Sequence, residues 1–343
     1  MRSSIFSSEN LRRYAALSRA ERRWHAQTAG VLAAVALLCS QVPRIVYGWS
    51  GRAGETLGSA AVASLSARTE VVFLGSSHVL FGIRPQAYSV PSMSLAATWL
   101  DYSCIRRVIA KNLTRVPNLK VAVIEYDELP LVADLVPAML ATKDFRPLTQ
   151  LSLTPLEFPT AGLGQKLETL WTAFAYPITS LPRVTPLAWV KRDDAYSPLY
   201  YPKRGFAPGY YFTDGVTPPA FNARIVFDAL SHASAKEDVV QRNLRDLQQT
   251  ISDLRHRGVT VVLLRLPHAH TYDAQRPAAV TARWRQLQAW TRTDPSLLVL
   301  DWGARPEFTA ADFCDMHHLN VFGANKLARL LDPQLRALCG PRR

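Results

Sequence analysis

Cysteine is scarce in this 343-residue chain. Four cysteines are too few for a disulfide scaffold of this size, and the absence of any C-x-x-C pair excludes a structural zinc of the usual spacing. Long apolar runs are also missing. The mean hydropathy of −0.02 is far too low for a polytopic membrane protein. No internal repeat is present, and no helix-turn-helix, RNP or zinc-finger pattern. Acidic residues are the minority charge: 27 Asp and Glu face 40 Lys and Arg, a formal net charge of +13. Hydrophobic residues at 48% and charged residues at 20% are ordinary globular proportions and exclude a disordered chain.

The position of the positive charge decides its meaning. Residues 1–26 hold Arg2, Arg12, Arg13, Arg19, Arg22 and Arg23 against Glu9 and Glu21, a net +4. Beyond this tail no block of consecutive Lys and Arg occurs, so the rest reads as solvated surface and no nucleic-acid partner is expected. An apolar stretch, Ala29 to Cys39, follows the tail and extends weakly to Trp49. A span needs about 20 residues. Tyr47 and Trp49 suit an interfacial belt, whereas Pro43 and Arg44 weaken the second half. Three readings fit: an uncleaved signal anchor, a cleaved signal peptide and a buried core helix. The leading region is long for a signal peptide, and no A-x-A-like site follows Cys39, so the anchor is preferred. Positive-inside reasoning then places the tail in the cytoplasm and everything after about residue 50 outside it. The expected organisation is a basic cytoplasmic tail (1–25), a transmembrane signal anchor (26–49), a Gly/Ala/Ser-rich linker (50–68) and one catalytic domain (69–335).

Within that domain, short continuous apolar runs alternate with amphipathic segments. Residues 69–75, 119–125, 259–267 and 297–301 read as buried strands. Residues 98–113, 236–257, 277–293 and 321–332 read as helices. The helix at 236–257 carries Val239, Val240, Leu244, Leu247, Ile251 and Leu254 on one face, and Gly258 stops it. This order predicts an α/β fold with a parallel, flavodoxin-like sheet of about five strands covered by helices on both faces, a three-layer α/β/α sandwich. Residues 128–235, rich in Pro and Tyr, have no clean period and read as a loop-rich insertion beside the cleft. Its aromatic residues at 176–219 suit either a sugar-binding platform or the packing of the insertion itself.

Function in such sheets gathers beyond the carboxyl ends of the strands. Three segments fall there: Phe73-Leu-Gly-Ser-Ser-His78, Leu266-Pro-His-Ala-His270 and Phe313-Cys-Asp-Met-His-His-Leu-Asn320. A serine in a Gly-tight turn after a strand presents its hydroxyl outward, beside backbone N–H groups able to hold an oxyanion. An aspartate three residues before a histidine can orient that imidazole, which then removes the serine proton. Ser77, His318 and Asp315 are therefore the expected triad. Gly75, His78, Ser92, Ala97, His268, His317 and Asn320 are candidates for the oxyanion hole or pocket. His268 and His270 lack a third ligand nearby, so neither a metal nor another cofactor is expected. Pairing of Cys314 with Cys339 is open, since sequence does not decide it.

Two blocks, Gly75-Ser-Ser-His78 with Phe81-Gly-Ile-Arg-Pro85, and Phe313-x-Asp-x-x-His-Leu-Asn-x-x-Gly-Ala324, resemble the first and last blocks of the SGNH (GDSL-type) hydrolase superfamily. Within it the likeness is to the membrane-anchored branch of the DltD and AlgJ/AlgX kind. The resemblance covers residues 69–128 and 236–332. It implies Ser77 as nucleophile, with Asp315 and His318 as the Asp-x-x-His pair. It also implies a serine-dependent O-acyltransferase or esterase acting on an envelope or exported polysaccharide. The partners would be an acyl donor, the carbohydrate polymer and a membrane-bound O-acyltransferase, at the periplasmic face of the inner membrane. Two family features are absent. Ser92-Met-Ser-Leu-Ala-Ala97 lacks the oxyanion glycine, and Glu125-Tyr-Asp-Glu128 lacks the asparagine. Backbone N–H groups at Ser77 and near Ala97 are the expected substitutes. The alternative is a catalytically silent partner of the same fold.

Overall fold

The structure, a computed structural model, describes residues 65–142, 151, 164 and 223–340. The expected tail and anchor, the linker up to residue 64, and the 176–219 aromatic segment lie outside the described residues. No helix among the described residues is long and apolar enough to cross a membrane.

Five strands, β1 (Val71–Leu74), β2 (Ser92–Ser94), β3 (Val121–Glu125), β4 (Thr260–Arg265) and β5 (Leu298–Asp301), form one sheet in the order β2-β1-β3-β4-β5. Every pairing is parallel, with Val72 beside Met93 and Ala122, and Val123 beside Val262. The order is the flavodoxin-like one. Side chains on a strand alternate between faces, and both faces are apolar. Val72, Leu74, Ala122, Ile124, Val261 and Leu263 belong to one core, whereas Val71, Phe73, Val121, Val123, Val262 and Leu264 belong to the other. Such strands need helices on both sides.

Those helices are α1 (Ser77–Gly82), α2 (Tyr102–Asn112), α3 (Glu128–Val132), α4 (Leu135–Thr142), α5 (Ala223–Ser234), α6 (Glu237–His256), α7 (His270–Gln275), α8 (Ala278–Thr291) and α9 (Val321–Cys339). Ile105 and Val108 of α2, Leu247 and Ile251 of α6, and Val280 and Leu287 of α8 cover the first face. Val79 and Leu80 of α1 and Leu327, Leu331 and Leu335 of α9 cover the second. Four of the expected strands and the main helices stand where the patterning put them. α6 ends as expected, with Gly258 in the left-handed region at φ 75°.

Two expectations change, and one open point is resolved. The ends of the expected loop-rich region, where described, are helical: α3, α4 and α5. The last helix does not stop near 332 but runs through Pro333 to Cys339. Burial of Leu335 and Cys339 against the second core outweighs the proline's missing hydrogen bond. Cys314 and Cys339 are not joined in a disulfide. Cys314 lies just before the 19-residue α9 and Cys339 is its last residue, and a rise of about 1.5 Å per residue separates the two ends of the helix far beyond disulfide reach.

Candidate active site

The end of β1 feeds directly into α1. Ser76 is the N-cap and Ser77 the first helical residue. The Ser77 N–H is thus among those a helix leaves without an intrahelical partner. Ser77 is 9% exposed. Across the cleft, the chain before α9 makes a short antiparallel bridge, Phe313 to Leu319, closed by Cys314 N–H donating to the His318 carbonyl at 2.9 Å. Inside this turn Asp315 Oδ1 accepts from the N–H groups of His317 (2.9 Å) and His318 (2.7 Å). Local acceptance of this kind is a habit of aspartate in turns.

The turn aims one side chain, His318, at Ser77 and backs it with Asp315. His318 Nδ1 donates to Asp315 Oδ2 at 2.7 Å, and Ser77 Oγ donates to His318 Nε2 at 2.8 Å. Asp315 being acceptor-only, the His318 proton sits on Nδ1 and Nε2 is left basic. Phe81 packs edge-on against the His318 ring, centroids 5.1 Å apart. Burial works to raise the Asp315 pKa, but its electrostatic interactions with His318 and His317 and the hydrogen bonds from both outweigh it and hold the carboxyl well below its usual range. Ser77, His318 and Asp315 are therefore brought together in hydrogen-bonded series.

Behind this series lies a buried charge network that sequence reasoning missed. Glu125, the last residue of β3, accepts from the Ser76 N–H, from Ser76 Oγ at 2.9 Å and from His78 Nδ1 at 2.9 Å. His78 Nε2 in turn meets His317 Nδ1 at 2.9 Å. Burial acts to lower the His78 pKa, but the Glu125 hydrogen bond and the charges of Glu125, Asp127 and Glu128 push it up to about 9. His317 is held well below the usual histidine range by burial and by His318. His268 is lowered too, by burial first and then by Arg265 and His78. Burial and Asp127 push Glu128 up to about 7, with Arg276 and His268 opposing. Tyr272 donates to Glu128 at 2.9 Å. The signal for this network was three acids, Glu125, Asp127 and Glu128, directly at the end of an all-apolar strand.

The other candidates separate. Gly75 is needed for close approach: a Cβ there would run into the Glu125 carboxylate and Val79. Ser92 is not at the site. It pairs with Val71 at the opposite end of the sheet, and its hydroxyl donates to the Pro85 carbonyl at 2.8 Å. The Ala97 N–H already donates to the Gly75 carbonyl at 3.2 Å, so it is not the expected oxyanion donor. Asn320 is the N-cap of α9. Its Oδ1 accepts from Phe322 and Gly323, and its Nδ2 donates to Ala311 and Phe313, which leaves nothing for substrate.

Two groupings bring enough nitrogen and oxygen together to raise the question of a metal: His78 with His317 and His318, and His78 with Asp127 and His268. Proton placement opposes both. In the first, the two ring nitrogens of His318 serve Asp315 and Ser77. In the second, Arg265 faces His268 Nδ1 at 3.4 Å, and arginine only donates. The His268 proton is then on Nε2, the atom 3.0 Å from Asp127 Oδ2. That contact lies off the line of a good hydrogen bond.

Set beside known proteins, the sequence matches no family model and no curated protein.

Proposed function

We propose that the chain is a serine-dependent acyl-ester hydrolase or O-acyltransferase of the SGNH type. The observation carrying this reading is the unbroken series from Asp315 through His318 to Ser77, at 2.7 and 2.8 Å. Ser77 Oγ attacks the acyl carbonyl as His318 Nε2 removes its proton. Asp315 holds the tautomer and stabilises the imidazolium. His318 then returns the proton to the leaving alcohol, leaving an acyl group on Ser77. Water or a sugar hydroxyl, deprotonated by His318, releases that group and regenerates the serine. The Ser77 N–H, at the head of α1, is the main-chain donor best placed for the oxyanion.

The substrate class follows from the resemblance of the two end blocks: an O-acylated envelope or exported polysaccharide. The six arginines before the apolar stretch support an anchored protein with its catalytic domain on the periplasmic side, working beside a membrane-bound O-acyltransferase. Alkaline phosphatase fused after residue 60 is then active, and an inactive fusion beside an active cytoplasmic reporter refutes this placement. The catalytic reading is tested by fluorophosphonate labelling. The wild type takes up the probe at Ser77 and Ser77→Ala does not; an unlabelled, folded wild type refutes it.

Three observations favour the silent-partner reading. The Ala97 N–H is occupied, Asn320 is consumed as a cap, and a carboxylate, Glu125, stands at the end of β3. If the wild type is inert yet binds a membrane acyltransferase, this second reading holds.

A further inference from the structure

His78 follows the proposed nucleophile in sequence but turns away from it into the protein, 2% exposed, between two partners that constrain its protons differently. Glu125 Oε1 lies 2.9 Å from Nδ1 and, as a carboxylate, accepts, so Nδ1 carries a proton. Nε2 faces His317 Nδ1 at 2.9 Å, where either ring nitrogen is able to be the donor. The far side of His317 decides between them. Its Nε2 lies 3.8 Å from Asp315 Oδ1. If His317 donates from Nδ1, its Nε2 lone pair is turned toward that carboxylate. If His78 donates, Nε2–H is turned toward it instead, which is the favourable arrangement.

The remaining surroundings press the same way. From β3 and the start of α3, Glu125, Asp127 and Glu128 face His78, with Asp127 Oδ2 3.8 Å from Nδ1. From the end of β4 comes His268, its ring centroid 5.2 Å away, with Arg265 behind it. Arg276 lies 3.2 Å from Glu128. From the turn before α9 come His317 and His318, centroids 5.1 and 5.3 Å away. The rings of His317 and His318 are themselves 3.9 Å apart, and both border Asp315. A proton on His317 would compete for Asp315 and repel the imidazolium that forms on His318.

We propose that His78 is a positioning residue: gripped by Glu125 as an imidazolium, it donates Nε2–H to His317 and fixes that ring as a neutral Nε2–H tautomer, so that Asp315 serves His318 alone. The consequence for catalysis rests on the serine-hydrolase reading above; the proton arrangement does not. The closing experiment therefore has two arms on the full-length protein.

In the first arm, histidine ring nitrogens are ¹⁵N-labelled and followed by NMR between pH 6 and 8. Both His78 nitrogens are expected to be protonated throughout, with His317 neutral and protonated at Nε2. A bare nitrogen on His78 at pH 7, or a proton on His317 Nδ1, overturns the proposal. In the second arm, fluorophosphonate labelling of Ser77 is measured against pH for wild type, Glu125→Gln and His78→Gln. Glu125→Gln keeps the shape of the side chain and removes its charge. The acidic limb of both variants is expected to move upward, costing about tenfold in rate at pH 6 relative to pH 8 for each pH unit of displacement. An equal loss at every pH, in variants that fold, means a merely structural role and overturns the proposal. A wild type that never labels but shows the expected protonation refutes the nucleophile, and leaves the His78–His317 arrangement standing.

Discussion

Glu125 reaches back from the end of β3 to hold the backbone N–H of Ser76, the residue immediately before the proposed nucleophile. This contact exists only because position 75 has no side chain. A Cβ on Gly75 would meet the Glu125 carboxylate, the Glu125 Cβ at 2.7 Å and Val79. Gly75→Ala is therefore expected to destabilise the fold by about 1–3 kcal/mol, the usual cost of overpacking. It also pushes Glu125 off Ser76 and His78. Urea denaturation gives the first effect and Ser77 labelling the second. An unchanged midpoint and unchanged labelling would show that the Glu125 contact does not constrain the turn.

Stability is expected to fall as pH rises from about 6.5 to 9, where Glu128 and His78 act together; below 6.5 the lowered His268 and His317, whose contribution grows as pH rises toward 6.5, oppose the Glu128 step. Glu128 is raised from 4.5 to about 7, so the folded protein holds this proton where the unfolded chain has lost it. The stability it contributes is present below pH 4.5 and lost on rising through 7. His78 is raised from 6.5 to about 9, which places its loss between those two values. Asp315 acts oppositely: its lowered pKa contributes above the ordinary aspartate range and is lost only in strong acid. Urea midpoints at pH 7, 8 and 9 test the fall, and Glu128→Gln should remove the Glu128 contribution and reduce, without abolishing, that of His78, which Glu125 and Asp127 still raise.

Pro333 stands exposed inside α9. A helix-interior proline costs about 3 kcal/mol relative to alanine. Its restriction of the unfolded chain returns about 0.4–1 kcal/mol. Pro333→Ala is thus expected to stabilise by about 2 kcal/mol, visible as a higher urea midpoint. No gain would mean that the helix has already adjusted around the ring.

The sheet was legible because its strands are short, continuous apolar runs, and such runs belong to sheets buried on both faces. β2 was the exception: Ser92-Met-Ser94 is three residues, two of them polar, and gives no periodic signal. The two segments carrying Ser77 and His318 were legible because a Gly-Ser turn and an Asp-x-x-His pair are local patterns. Glu125, Asp127 and Tyr272 were not, because their meaning depends on distant partners, 47 positions away for Glu125 and His78, 141 for Asp127 and His268, and 144 for Tyr272 and Glu128. Asn320 misled for the opposite reason: an asparagine beside candidate catalytic residues is equally an ordinary helix cap, and here it caps.

Asp315 offers the sharpest test of the proposed chemistry, because its two oxygens do separate jobs. Oδ1 accepts the two backbone N–H groups that shape the turn, and Oδ2 accepts the His318 ring proton. In Asp315→Asn the amide oxygen is able to keep the Oδ1 role, so the turn and the fold should survive. The amide nitrogen then faces His318 Nδ1 and donates to it. That reverses the tautomer: the ring proton moves to Nε2, opposite the Ser77 hydroxyl, where a base is required. In a serine triad, this tautomer error costs on the order of 10⁴ in rate. Labelling of Asp315→Asn is expected to fall by that order while the protein stays folded with a lowered urea midpoint, since the charge that His318 holds is gone, and His318→Ala and Ser77→Ala should fall at least as far. If Asp315→Asn labels as fast as wild type, His318 is not the base for Ser77, and the proposed mechanism fails at its first step.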